Sequence, residues 1–306
     1  MILRRVSEAT SRRAFFGGAV ALGGLTALGF APSAASAQTA PSSVLLPNSE
    51  YWDMRAAHGR DYRIFVSRPA GDPPEGGWPV LYVLDGNALF PIFAEGRRLQ
   101  SVYEHGLHNI IIVGIGYPTD EMYDVRRLAD LTGPNPSPLP PAQRPLAEYE
   151  AGQRDAFLRF LMEQVRPEIA RRYAINADRQ SLYGHSLGGL FALHTLYTHP
   201  RAFHAIIAAS ATIWWSDQAI VADEARFAAR LARDPSLGRG ARLLLLIGEL
   251  EEDRVDVGDN VALAERLERL SAYGLRSSIQ FYEGETHMSV PIRSVTDTLR
   301  LALQWP

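Results

Sequence analysis

The sequence contains no cysteine. That excludes disulfides, thiolate metal sites and a cysteine nucleophile, and it is compatible with an oxidising compartment. A strong excess of one charge is also missing: 31 Lys and Arg face 34 Asp and Glu, for a formal net charge of −3. Such a balance argues against nucleic acid or an anionic membrane as a partner. The N-terminal apolar run, Gly17 to Ala31, has 15 residues and is rich in Gly and Ala. A bilayer crossing needs about 20, so the run does not read as an anchor.

What surrounds that run gives it another meaning. Ser11-Arg12-Arg13-Ala14-Phe15-Phe16 is a twin-arginine pattern, and Ala35-Ser36-Ala37 is a small-x-small cleavage site with Gln38 as the mature start. Residues 1–37 are expected to be a Tat signal, handled by the Tat translocon and then removed. The mature chain would work in a bacterial periplasm or outside the cell, with no stable membrane insertion. It keeps 269 residues and a net charge of −6, because the leader carries four Arg and one Glu. With 46% hydrophobic residues, a single α/β domain over 38–306 with one large core is the expectation.

Residues 38–50 read as a flexible lead-in. Tyr62–Ser67 alternates like an early antiparallel strand. Continuous apolar runs at Val80–Leu84, Asn109–Ile115, Ala205–Ala209 and Arg242–Ile247 suit strands buried on both faces, and Ser278–Tyr282 resembles another. Helical stretches separate them at 148–172, 187–199, 217–233, 259–273 and 292–303. In the first, Phe157, Leu158, Leu161, Met162 and Val165 form one stripe. Alternation of this kind predicts a mostly parallel sheet covered on both faces. One excursion, about residues 117–147, breaks the rhythm with Gly133-Pro-Asn-Pro-Ser-Pro-Leu-Pro-Pro141. Proline fixes φ and removes donors. Leaving the carboxyl end of a strand, where ligands bind in such sheets, this excursion is expected to be a substrate-contacting lid.

The most informative residues are Gly184-His185-Ser186-Leu187-Gly188-Gly189, set between the apolar Ser181-Leu182-Tyr183 and the helical Leu190–Tyr197. A G-x-S-x-G turn from strand to helix strains the serine and lifts its hydroxyl off the sheet. Bulky neighbours at Gly184 or Gly188 would collide with strand or helix. The helix N-terminus behind the serine favours developing negative charge. Ser186 is therefore the expected nucleophile.

A serine hydroxyl needs a base, oriented by an acid. In the order Ser, acid, His, the base is His287, which follows the last strand in Glu283-Gly-Glu-Thr-His-Met-Ser289. His194, His199 and His204 lie on or after the elbow helix and read as packing or surface residues. His185 flanks the serine but points away from the base position, and is kept as a substrate-contact candidate. The acid should follow Leu243–Ile247, where Glu249, Glu251, Glu252, Asp253 and Asp256 all offer carboxylates. Glu251 is preferred, since one residue must leave the sheet and another must turn back. For the oxyanion hole, the amide of Leu187 pairs with that of Gly86 or Asn87, in the turn Asp85-Gly86-Asn87 after Leu84. No metal or organic cofactor is implied.

Leu84-Asp85-Gly86-Asn87, Tyr183–Gly189, Gly248-Glu249-Leu250-Glu251 and the late His287 together resemble the esterase D-like family of α/β-hydrolases, over about residues 45–303. Within it, the chain is most similar to esterases of trilactone siderophores of the enterobactin or salmochelin type. The resemblance implies an α/β-hydrolase fold and Ser186, His287 and the amides of Gly86 and Leu187 as nucleophile, base and oxyanion donors. Some trilactone esterases use a Ser-His pair without a well-placed acid, so a dyad stays open beside the triad. Arg126 and Arg127, in the excursion, are candidates to meet an anionic iron–catecholate, and Trp214 and Trp215 to stack on catechol or sugar rings. Acyl transfer, or feruloyl or acetyl esterase activity, would use the same residues. A non-catalytic siderophore- or envelope-binding protein is the alternative of another class.

Overall fold

The computed structural model describes residues 45–102, 109–134, 141–251 and 256–303. Its centre is a sheet of eight strands in the order β1-β2-β4-β3-β5-β6-β7-β8. The strands are β1 (Ser49–Arg55), β2 (Asp61–Ser67), β3 (Trp78–Leu84), β4 (Ile111–Gly116), β5 (Ile175–His185), β6 (Ala205–Ala209), β7 (Arg242–Gly248) and β8 (Arg276–Tyr282). β1–β2 and β2–β4 pair antiparallel, and every later pairing is parallel. The mostly parallel α/β-hydrolase sheet expected from the alternating pattern is thus borne out.

The continuous apolar runs explain the two-sided burial. Alternate residues of β3 enter different cores: Val80, Tyr82 and Leu84 on one face, Leu81 and Val83 on the other. The second face is covered by α1 (Gly86–Leu99) and α9 (Val295–Leu303), which supply Phe90, Phe93 and Leu299. The first is covered by residues from α3 (Arg154–Phe160), α4 (Arg166–Arg172), α5 (Leu187–Thr198), α6 (Trp215–Arg233) and α7 (Asp256–Glu268). A π-helical turn, Leu161–Val165, joins α3 to α4, and α8 (Val290–Arg293) precedes α9 across Ser294.

Two elements escaped the sequence pattern. α1 carries Pro91 in its interior and starts on Gly-Asn, weak signals for a helix. β1 lies at the sheet edge with most of its residues exposed or half-buried, so it lacks a clear apolar alternation. The excursion holds a short helix, α2 (Arg127–Leu131), and a 3₁₀ segment, Pro141–Glu148. Its stretch 135–140 lies outside the described residues, as do the twin-arginine segment and the cleavage site.

The elbow obeys the steric argument with one change. Ser186 sits at φ 59°, ψ −119° between β5 and α5. A β-carbon on Gly184 would be driven into the carbonyl of Gly188. On Gly188 itself it would meet Asp85 and Leu84 only at 3.5 Å, an ordinary contact, whereas on Gly189 it would lie 3.0 Å from the Ala209 carbonyl and the Ala211 Cα. The tight positions are therefore 184 and 189, because α5 leans on the strands at its first turn, and not 188.

Gly184→Ala should cost about 1–3 kcal/mol by overpacking, while Gly188→Ala should change stability by less than about 0.5 kcal/mol. Urea unfolding checks this, and equal losses for the two variants would contradict this packing of the elbow.

Candidate active site

The carboxyl edge of the sheet gathers most of the residues singled out above. β5 delivers Ser186, whose N–H donates to the Ala209 carbonyl at 2.9 Å. Its carbonyl accepts from Leu190 N at 3.1 Å and Thr212 N at 3.2 Å. The serine is half-buried, and its Oγ lies 3.2 Å from the Thr212 hydroxyl. That is long for two hydroxyls, so the hydroxyl is held loosely. The hydrogen bond made by Oγ here is to Thr212 and not to His287.

His287 lies in the loop after β8, with its Nδ1 2.8 Å from Glu251 Oε2. Glu251 comes from a 3₁₀ turn after β7, Glu249–Glu251, and its side chain is fully buried. Its other oxygen accepts from Ser210 Oγ at 2.7 Å and from the Gly248 amide at 2.8 Å. Burial opposes ionisation of Glu251, but the bonds from His287, Ser210 and Gly248 outweigh it and hold the carboxyl below the ordinary glutamate value. Of the rival carboxylates, Glu249 accepts from the Gly284 amide at 2.9 Å and so braces the same loop from outside. Glu252 and Asp253 lie outside the described residues, and Asp256 opens α7.

Two helix N-termini converge on this edge. α5 begins at Leu187, and α1 at Gly86 and Asn87. The first amides of a helix have no carbonyl of their own helix to bond, so these N–H groups are available for an oxyanion. Asp85, just before them, is left-handed at φ 53°. Gly86 packs against β4, where a β-carbon would meet Ile115 N at 2.8 Å. The Asn87 side chain is engaged elsewhere: it donates to the carbonyls of Tyr117 and Thr119 and accepts from Tyr117 N. It pins the start of the excursion to α1.

Four sequence candidates take different positions from those expected. Arg127 makes a bidentate pair with Asp85, at 2.7 and 2.9 Å, and its side chain is only 14% exposed. Arg126 is chelated by Asp124 at 2.8 and 2.7 Å. Both charges that were candidates for an anion are thus already partnered. Trp215 is buried, its indole N–H donating to the Gly133 carbonyl at 3.3 Å, which ties the excursion to the domain. Trp214 is the half-buried member of that pair. His185 is 1% exposed, and its Nε2 lies 2.7 Å from the backbone carbonyl of His287. A residue so enclosed does not face a substrate. His194 is a packing residue with a polar task, set 2.8 Å from Asp155 and 3.5 Å from Asp223 across α3, α5 and α6.

Sequence reasoning did not find Ser210 and Thr212. Both follow β6, the strand beside β5, and only sheet neighbourhood brings them to the elbow. The available signal was a run of small residues, Ala208–Thr212, just past a buried strand.

Arg127→Met leaves the Asp85 carboxylate buried and unpaired, which should cost about 3–5 kcal/mol. Arg126→Ala removes a half-exposed local pair and should cost about 0–1 kcal/mol. Denaturant unfolding of the two variants separates these values, and a small loss at Arg127 would remove its bracing role.

The sequence matches the family described as Putative esterase over residues 56–290. It is 37% identical over 264 residues to the ferri-bacillibactin esterase BesA of Bacillus subtilis, across 84% of this chain and 90% of that protein. The siderophore triacetylfusarinine C esterase of Aspergillus fumigatus is 38% identical over 194 residues, 61% of this chain and 63% of the other. Among solved structures, the BES protein from Bacillus cereus superposes with a TM-score of 0.76 at 33% identity, covering 86% of this chain and 98% of its own. Siderophore hydrolase EstA from Aspergillus nidulans does so at 0.75 and 28%, covering 88% and 100%. With a family match across most of its length, the chain belongs to the Putative esterase family, and it is an esterase of the α/β-hydrolase fold.

Proposed function

We propose that this esterase cleaves the ester bonds of a siderophore of trilactone type, through an acyl-enzyme on Ser186. The observation that carries the reading is a carboxylate-paired histidine, His287 on Glu251 at 2.8 Å, on the same sheet edge as a strained serine. The identity with a ferri-bacillibactin esterase over 84% of the chain supports the substrate class.

In this mechanism the scissile carbonyl lies against the amides of Leu187 and of Gly86 or Asn87. Ser186 turns from Thr212 toward His287, whose Nε2 takes the hydroxyl proton as Oγ attacks the carbonyl carbon. The tetrahedral oxyanion is held by the helix N-termini. His287 then gives the proton to the leaving alkoxide, the ester C–O bond breaks, and an acyl-serine remains. Water, deprotonated by the same imidazole, releases the acid and regenerates Ser186. Glu251 fixes the Nδ1–H tautomer and stabilises the imidazolium. Trp214, half-buried beside the site strands, is the aromatic surface offered to a catechol ring.

The same proposal includes export. The twin-arginine pattern at Arg12-Arg13 and the cleavage site at Ala35–Ala37 support a Tat leader over 1–37. Residues 38–306 would then be the mature enzyme, in the periplasm or outside the cell. Among the described residues no helix is long and apolar enough to cross a membrane.

Ser186→Ala should lower kcat by about 10⁶-fold on a ferric trilactone and on a p-nitrophenyl ester alike. Turnover within tenfold of the parent would remove Ser186 from the mechanism. Glu251→Gln should cost on the order of 10³–10⁴-fold in kcat if the acid serves as in other triads. A loss below about tenfold would favour a Ser-His dyad.

The Glu251 carboxyl is held below its ordinary value, so its contribution to stability is complete above about pH 4.3 and fades as pH falls through the lowered folded value. The Tm gap between parent and Glu251→Gln should therefore be widest near neutrality and narrow in acid. A gap that widens in acid would contradict the assignment.

A further inference from the structure

His185 ends β5 beside the nucleophile, yet it touches neither solvent nor, at 1% exposure, any substrate. Its Nε2 is 2.7 Å from the main-chain oxygen of His287. A carbonyl only accepts, so Nε2 carries the proton and donates it. The opposite nitrogen, Nδ1, is buried with no hydrogen-bond partner among the described residues. Burial above all, with the neighbouring His287 ring and the Arg127 guanidinium opposing a further positive charge, pushes the imidazole down to about 3. His185 is therefore a neutral ring and no second base.

An orphaned buried nitrogen costs stability. An apolar side chain of similar size would fill the space without that cost, so packing alone does not account for an imidazole at this position. What the ring supplies is one hydrogen bond to the base's own backbone, together with a ring contact to His287 at 4.6 Å. The loop that carries His287 needs such support. Glu283, Gly284, Thr286 and Met288 are exposed. Its ties to the turn after β7, Gly284 N to Glu249 at 2.9 Å and Leu250 N to Glu285 O at 2.9 Å, lie before the histidine. Those that span it, Thr286 N to Ser289 Oγ at 2.8 Å and Val290 N to Thr286 O at 3.1 Å, are local to the loop and the start of α8. Glu251 fixes the imidazole tip at Nδ1, and His185 fixes the main chain from which that imidazole swings.

We propose that His185 is a positioning residue that ties the backbone of His287 to the nucleophile elbow, so that Ser186 and its base are held as one rigid unit. This rests on the reading of Ser186 and His287 as nucleophile and base. A misplacement of about 1 Å at a reacting group can cost about 10²-fold in rate, which sets the scale of the expected effect.

The test compares His185→Leu, His185→Gln and His185→Asn in the full chain. Glutamine carries an amide N–H to the position of Nε2, whereas asparagine is one methylene shorter. On p-nitrophenyl butyrate, His185→Leu should lose about 10²-fold in kcat with KM within about twofold, and His185→Asn should behave similarly. His185→Gln should return to within about fivefold of the parent. The rate of Ser186 phosphonylation by a fluorophosphonate should follow the same order. Equal kcat for the Gln and Leu variants, or a loss confined to KM, overturns the proposal. Should the Leu variant not fold, equal kcat for Gln and Asn overturns it instead. Ser186→Ala and His287→Ala, assayed beside them, keep the two readings apart. Activity surviving either of those removes the nucleophile–base assignment, whereas their inactivity with indistinguishable His185 variants removes only the tie.

Discussion

Three neighbouring strands end on a non-glycine residue in left-handed backbone: Asp85 after β3 at φ 53°, Ser186 after β5 at φ 59° and Ser210 after β6 at φ 46°. Such conformations cost of order 1–3 kcal/mol each and persist only where surrounding contacts over-determine them. The contacts are visible at each. Arg127 grips the Asp85 carboxylate, Ser186 N bonds the Ala209 carbonyl, and Ser210 N bonds the Leu246 carbonyl at 2.7 Å. Each residue then turns its polar group onto the carboxyl edge. The first sets the N-terminus of α1, the second presents a hydroxyl, and the third holds Glu251.

The parallel sheet makes this possible. Both of its faces are filled by apolar side chains, so its strand ends cannot shift singly without disturbing a close-packed interior. Strain at the edge is thereby carried by burial in the centre. The excursion is rooted by the same means: Arg60 pairs with the buried Asp130 at 2.6 Å and Arg127 with Asp85. Around that root the edge segments expose large apolar side chains, Met122, Val125, Leu250, Met288 and Ile292, interspersed with charged ones such as Glu121, Glu249 and Glu283. Arg127, a sequence candidate for an anion, holds the excursion to the end of β3 through Asp85, whereas Arg126 pairs locally with Asp124.

Much of the fold was legible because its signals are local. Val80–Leu84, Ala205–Ala209 and Arg242–Ile247 announce buried strands by composition, and Gly184–Gly189 announces a strand-to-helix turn by its glycines. β1 and α1 were not legible: one is an edge strand without a buried face, the other a helix with an internal proline whose stability comes from packing on β4. Choosing Glu251 among five carboxylates rested on a count of turn residues. Of its partners, Gly248 is three residues away in the same segment, but Ser210 follows β6, and no single-sequence signal encodes that β6 lies beside β7.

The sequence by itself determined which residue types exist to do chemistry and how they follow one another: a serine on a glycine-flanked turn, a late histidine, an acidic run between them, and a proline-rich excursion. These are properties of short segments, fixed by backbone sterics and hydrophobic periodicity. Tertiary structure alone decided what each polar group bonds. It put Arg127 on Asp85 instead of toward solvent, Trp215 against Gly133 and His185 beneath His287, because hydrogen-bond partners in a buried site come from strands and loops far apart in the chain, and only the assembled sheet brings them within hydrogen-bonding distance.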